Sequence, residues 1–83
     1  INIHPSLLPK YKGLNTFKKA IENKDIFTGC TIHYVNEKLD AGKIIFKKRV
    51  EIKSKIEEFV KRSVQLQEYN AYSIAIRKIY NKS

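Results

Sequence analysis

Eighty-three residues build one small domain at most, and a chain this short buries proportionally little surface on folding. Seventeen basic against eight acidic side chains give a formal charge of +9, which suits an anionic partner, yet the lysines are scattered rather than gathered into a basic arm. One cysteine, Cys30, excludes an internal disulfide, the short apolar runs exclude a membrane span, and no charged-then-apolar leader opens the chain, so a reducing cytoplasmic setting is expected.

The chain begins Ile1-Asn2-Ile3-His4-Pro5. Alternating apolar and polar side chains read as the end of a β-strand, and Pro5 stops it because it has no N–H for a ladder. Asn2 and His4 are two apart on an extended chain and so point to one side. A strand that stops at its carboxyl end and hands over polar side chains is where open α/β folds place ligands. The abrupt start predicts a truncated strand whose sheet neighbours are absent.

Ser6 to Gly13 reads as a turn-rich segment punctuated by Pro9 and Gly13, with Leu7 and Leu8 docking inward and Lys10, Tyr11 and Lys12 facing out. A short helix follows, capped by Asn15 or Thr16, burying Phe17, Ala20 and Ile21 and ending at Asn23 to Asp25. Thr28-Gly29 then introduces a strand over residues 30–35, rich in β-branched and aromatic residues. Thr31, His33 and Val35 share one of its faces; Cys30, Ile32 and Tyr34 share the other. Residues 36–42 form a loop, and Lys43 to Ile52 a second strand, paired antiparallel with the first as a wide hairpin. Ser54-Lys55-Ile56-Glu57 fits a capping box that opens one long helix to about residue 80, with a break allowed near Tyr69-Asn70. Its apolar stripe is Ile56, Phe59, Val60, Leu66, Tyr69, Ile76 and Tyr80. The expected class is α/β: a truncated strand, a short helix, a two-stranded antiparallel hairpin and a long terminal helix.

Three polar features could carry chemistry. Asn2 and His4 set an amide beside an imidazole, two donors for a developing oxyanion, and His can also pass a proton near neutral pH. Asp40, in the loop, could supply a carboxylate that stabilises a charged imidazole. Gln65 and Glu68, i and i+3 on a helix, could grip one ligand. Each also has a plain structural reading, as an ordinary strand edge, a turn residue and solvated helix positions. Cys30-x-x-His33 hints at zinc, but its two ligands fall on opposite faces of a strand and no second pair follows, so no metal site is expected.

Asn2-Ile3-His4-Pro5-Ser6-Leu7-Leu8-Pro9, followed by Lys12-Gly13, resembles the signature of the folate-dependent formyltransferases. The stretch from Thr28 through Asn36-Glu37-Lys38-Leu39-Asp40-Ala41-Gly42 to Ile45 is similar to that family's second motif. His4-Pro5-Ser6 and Gly13-Leu14-Asn15-Thr16 look most like the members of purine synthesis that formylate glycinamide ribonucleotide. Members acting on methionyl-tRNA would carry Arg-Gly-Ala and then Pro after the Leu-Leu-Pro.

The resemblance covers essentially the whole chain. It implies that residues 1–83 are the carboxyl-terminal catalytic part of a Rossmann-like formyltransferase fold, without the amino-terminal nucleotide-binding half. No Gly-rich phosphate loop of the kind that half carries is found around Gly13, Gly29 or Gly42. The resemblance further implies a catalytic set of Asn2, His4 and Asp40, and 10-formyltetrahydrofolate as formyl donor. The folate would lie against Asn2, Asn36, Glu37, Lys38, Leu39 and Asp40, and glycinamide ribonucleotide against Gln65, Leu66, Gln67 and Glu68, with no metal. A separately encoded amino-terminal half is an expected partner; a membrane is not, and nucleic acid ranks last.

Asn15 and Phe17 stand where His is common in the family, Lys24 replaces a Gly, and Lys47 replaces a Gln; none of these removes a catalytic group. The alternatives are a remnant or split-gene fragment that docks on a separate half, and a small basic nucleic-acid-binding module. For a remnant or split-gene fragment, the exposed first strand and the lost sheet predict poor solubility or self-association through unpaired edges.

Overall fold

The computed structural model describes residues 1–35 and 42–81. In chain order the elements are β1 (Asn2–His4), α1 (Thr16–Glu22), β2 (Phe27–His33), β3 (Ile44–Glu51) and α2 (Glu57–Asn81).

The first strand does not stand alone beside a hairpin, as the sequence suggested. It pairs antiparallel with β2, setting Asn2 opposite His33, Ile3 opposite Ile32 and His4 opposite Thr31. On its other edge β2 pairs antiparallel with β3, from Phe27 opposite Glu51 to Ile32 opposite Phe46, and an irregularity then brings His33 opposite Ile44. The sheet is therefore three-stranded, in the order β1-β2-β3. A hairpin leaves one edge of each strand unpaired, and β1 satisfies the outer edge of β2.

β2 also runs from Phe27 to His33 rather than from 30 to 35, so Thr28 and Gly29 lie inside the strand instead of turning into it. Glycine is required there because β3 comes very close: a Cβ on Gly29 would sit 1.9 Å from the Lys48 carbonyl oxygen. Tyr34 and Val35 lie beyond the strand and are exposed, although the Tyr34 N–H still donates to the Lys43 carbonyl at 2.9 Å.

α1 forms where the i, i+3, i+4 spacing places it, with Phe17 and Ala20 buried. Its cap differs from expectation. Asn15 occupies the capping position in a left-handed conformation, φ 59, without a side-chain capping bond. The Thr16 hydroxyl instead donates to the Pro5 carbonyl, tying the helix start to the end of β1.

One face of the sheet presents Cys30 and Ile32 to Val60, Val64, Ala71 and Ala75 of α2, with Phe17 of α1 closing the cluster. This corrects the expected stripe of α2. Phe59 is 57 %, Leu66 70 % and Tyr69 80 % exposed, whereas Val60, Val64, Ala71 and Ala75 share the buried side. Small side chains let the helix lie close over the sheet, and dense packing leaves no room there for the aromatic ones.

The start of α2 is corrected too. The Ser54 hydroxyl accepts the Ile56 N–H at 3.0 Å, a turn ahead of the helix rather than a capping box, and the first turn begins with Glu57 and Glu58. Their carboxylates complement the positive end of the helix dipole. The helix then runs 25 residues without a break at Tyr69-Asn70. Among the described residues no helix is long and apolar enough to cross a membrane.

Candidate active site

The opposite face of the sheet is polar. Register and strand alternation place Asn2, His4, Thr31 and His33 together on it. Its cover is the segment after Pro5, which buries Leu8 and is held in place by a series of hydrogen bonds. The Leu8 N–H donates to Thr31 Oγ1 at 3.0 Å, and that hydroxyl donates in turn to the Ser6 carbonyl at 2.6 Å. Lys47 Nζ reaches from β3 to the Leu8 carbonyl at 2.9 Å. Ser6 Oγ donates to the Lys10 carbonyl at 2.6 Å and lies 3.2 Å from that of Tyr11. The Leu8–Pro9 peptide bond is cis.

Tyr11 is the outer hinge of this cover. Its φ of 53 turns the carbonyl inward, and its phenol donates to Asp25 Oδ2 at 2.7 Å. Lys10 Nζ lies 3.2 Å from the same carboxylate oxygen, and Asn23 Nδ2 donates to the phenol oxygen at 3.1 Å. The hydrogen bond to the Asp25 carboxylate holds the Tyr11 phenol above the ordinary tyrosine range.

All of this converges on His4, which is 6 % exposed. Its Nε2 lies 2.9 Å from the inward-turned Tyr11 carbonyl. A carbonyl can only accept, so Nε2 carries the proton, and Nδ1 is the position at which a neutral ring takes up another. His4 is thus held in one orientation and one tautomer. Asn2, two residues earlier on the same face, is exposed beside it.

A cleft of about 450 Å³ opens at His4, lined by Pro5, Asn15, Thr16, and Glu57 and Lys61 from α2. Gln65 and Glu68 continue the side of α2 that carries Glu57 and Lys61, by helical spacing. Gln65 is exposed and Glu68 half-buried. Leu66 and Gln67 instead line a separate shallow cleft with Val50, Glu51 and Lys53. Asn36, Glu37, Lys38, Leu39 and Asp40 lie outside the described residues. Gly42 lies close against Tyr34, where a Cβ would fall 1.5 Å from the Tyr34 carbonyl oxygen.

Cys30 lies on the apolar face, opposite the one that carries Asn2 and His4. Burial, aided by the Glu68 carboxylate, pushes its thiol up to about 11. Among the described residues no three His, Cys, Asp or Glu side chains gather to hold a metal ion.

Sequence reading missed Thr31, Ser6, Lys47 and the Tyr11 carbonyl as the parts that hold His4. Thr31 was legible in principle, because it shares a strand face with His33. A backbone carbonyl leaves no mark in sequence.

An imidazole held at the carboxyl end of a strand, with an amide on the same face and a cleft at its side, stands where open α/β folds place their ligands. The formyl transferase family profile matches residues 1–76, and the chain belongs to that family. It is 48 % identical over 79 residues to the phosphoribosylglycinamide formyltransferase of Haemophilus influenzae, covering 93 % of this chain and 37 % of that protein. The phosphoribosylglycinamide formyltransferase of Escherichia coli is 42 % identical over 77 residues, 92 % of this chain and 36 % of its own length. The crystal structure of that enzyme from Anaplasma phagocytophilum superimposes with a TM-score of 0.88 at 36 % identity, over 98 % of this chain and 40 % of the other. The chain therefore spans well under half the length of the relatives it matches.

Proposed function

We propose that this chain carries the catalytic strand end of an enzyme that moves a formyl group from 10-formyltetrahydrofolate to the amine of glycinamide ribonucleotide. The observation that carries the reading is His4: buried, oriented by the Tyr11 carbonyl, sharing a strand face with Asn2, and lining a cleft. When the amine attacks the formyl carbon, negative charge develops on the formyl oxygen; collapse of this tetrahedral species breaks the bond from the carbon to N10 of the folate, and the proton lost by the amine ends on N10 of the departing tetrahydrofolate. Asn2 and His4 supply donors on one side of the sheet to meet that charge, and His4 is the group that moves a proton. Asp40 supplies a carboxylate to the imidazolium, and the loop from Asn36 to Asp40 contacts the folate. Gln65 and Glu68, on the Lys61 side of α2, hold the ribonucleotide together with Leu66 and Gln67. The folate is a cosubstrate, and no metal takes part in this scheme. The relatives are more than twice as long as this chain, which supports a further polypeptide segment, in the same chain or a separate one, as the partner that completes the site.

The test is formyl transfer from 10-formyltetrahydrofolate to glycinamide ribonucleotide. The chain is assayed alone and mixed with the portion of the H. influenzae relative that lies outside the match. A rate in either assay that His4→Ala lowers by about a hundredfold or more supports the reading. No rate in both, or a rate indifferent to His4→Ala, overturns it.

A further inference from the structure

Among the described residues, the polar face contains one buried side-chain group without a hydrogen-bond partner. His33 is 3 % exposed, and its Nδ1 lies 3.0 Å from the Tyr34 carbonyl. That carbonyl can only accept, so Nδ1 holds the ring proton and Nε2 is left as a lone-pair acceptor. Nε2 is buried and has no hydrogen-bond partner among the described residues. A buried acceptor without a donor bears its full desolvation cost, so a donor within reach is strongly favoured there.

The register names that donor. Asn2 stands directly opposite His33 across β1 and β2. Facing residues of an antiparallel pair carry their Cβ atoms about 4.5–5.5 Å apart, and an asparagine amide reaches that far by rotation about its own side-chain torsions. Asn2 is exposed, so its side chain is not locked into a packed core.

The chemistry makes the pairing consequential. An asparagine at a strand end can present either its carbonyl or its NH2 to a ligand. Only the NH2 end stabilises a developing oxyanion; the carbonyl would repel it. We propose that His33 is a positioning residue. Its Nε2 accepts one N–H of Asn2, which fixes the sense of the amide and turns the second N–H toward the place where charge develops beside His4. The inference rests on the reading of Asn2 as an oxyanion donor. It assigns to the two histidines opposite hydrogen-bonding senses: His4 donates from Nε2, and His33 accepts at Nε2.

The test has two arms. In the first, nitrogen-15 NMR of the full chain looks for scalar coupling between Asn2 Nδ2 and His33 Nε2. The proposal expects that coupling, one Asn2 amide proton exchanging more slowly than the other, and a shifted His33 Nε2 signal in Asn2→Ala. Absent coupling, with the His33 signal unmoved by Asn2→Ala, would mean that a buried water serves Nε2, and overturns the pairing. The second arm uses the transfer assay. His33→Phe should lower kcat by about ten- to a hundredfold at nearly constant KM, and His33→Gln, which keeps an acceptor, should recover most of the loss. Equal loss in Phe and Gln variants overturns the orienting role. Should no His4-dependent transfer be found, the functional reading fails while the first arm still decides the pairing.

Discussion

The two faces of this small sheet are held by different physics. The face toward α2 is a close contact of small side chains, with Cys30 and Ile32 of β2 against Val60, Val64, Ala71 and Ala75. The face toward the Pro5–Tyr11 segment is a chain of directed bonds through Thr31, Ser6 and Lys47 that ends on His4. Packing energy is non-directional and scales with buried area, so it sets stability. Hydrogen bonds have geometry, so they can set the orientation and tautomer of one ring. The molecule uses its apolar face to exist as a fold and its polar face to aim a histidine.

That contrast can be broken most severely at Gly29, where both faces depend on β2 lying close to β3. Gly29→Ala should destabilise the chain by about 3 kcal/mol, because the new methyl meets backbone rather than a movable side chain. Chemical denaturation measures it. On the apolar face alone, Val64→Ala removes fully buried methyl groups and should cost about 2 kcal/mol, leaving the conformation around His4 unchanged. On the polar face, Thr31→Val keeps the volume but strands the Leu8 N–H and the Ser6 carbonyl. A loss of about 1–2 kcal/mol is expected, with faster proteolytic cutting of the Pro5–Gly13 segment than any apolar-face variant shows.

Much of this architecture is legible in the sequence, and what is not has identifiable causes. Phe17, Ala20 and Ile21 mark α1 by spacing alone, and the apolar content between Lys43 and Ile52 gives β3 nearly its true limits. The buried side of α2 is hidden because Phe59, Leu66 and Tyr69 outweigh Ala71 and Ala75 in any reading by hydrophobicity. The sheet selects the residues small enough to approach it. The pairing of β1 is hidden because three residues cannot specify a partner until β2 offers an edge. Asn2 and His4 emerge from simple alternation, whereas the Tyr11 carbonyl that fixes His4 depends on a left-handed tyrosine, which no propensity announces.

Two milder perturbations sharpen the contrast. The unfolded Cys30 thiol ionises near 9.0, and the folded one only at about 11. Between those values the unfolded state binds fewer protons, so stability that is complete below pH 9 declines as pH rises toward 11. Denaturation midpoints across this range should fall, and Cys30→Ala should flatten the decline. The smallest effect belongs to the outer side of α2. Tyr69→Gln, at an 80 % exposed position, should change stability by no more than about 0.5 kcal/mol, which a thermal melt can verify.

The central claim is that the polar face aims chemistry while the apolar face only supports it. The most direct measurement is the formyl-transfer rate per folded molecule, with the complementary segment of the longer relative supplied, for His4→Gln and Cys30→Ala side by side. The account predicts a loss of about a hundredfold or more for His4→Gln at nearly unchanged stability, and a near-normal rate for whatever fraction of Cys30→Ala remains folded. Equal rates for the two variants, or a larger loss in Cys30→Ala, would contradict it.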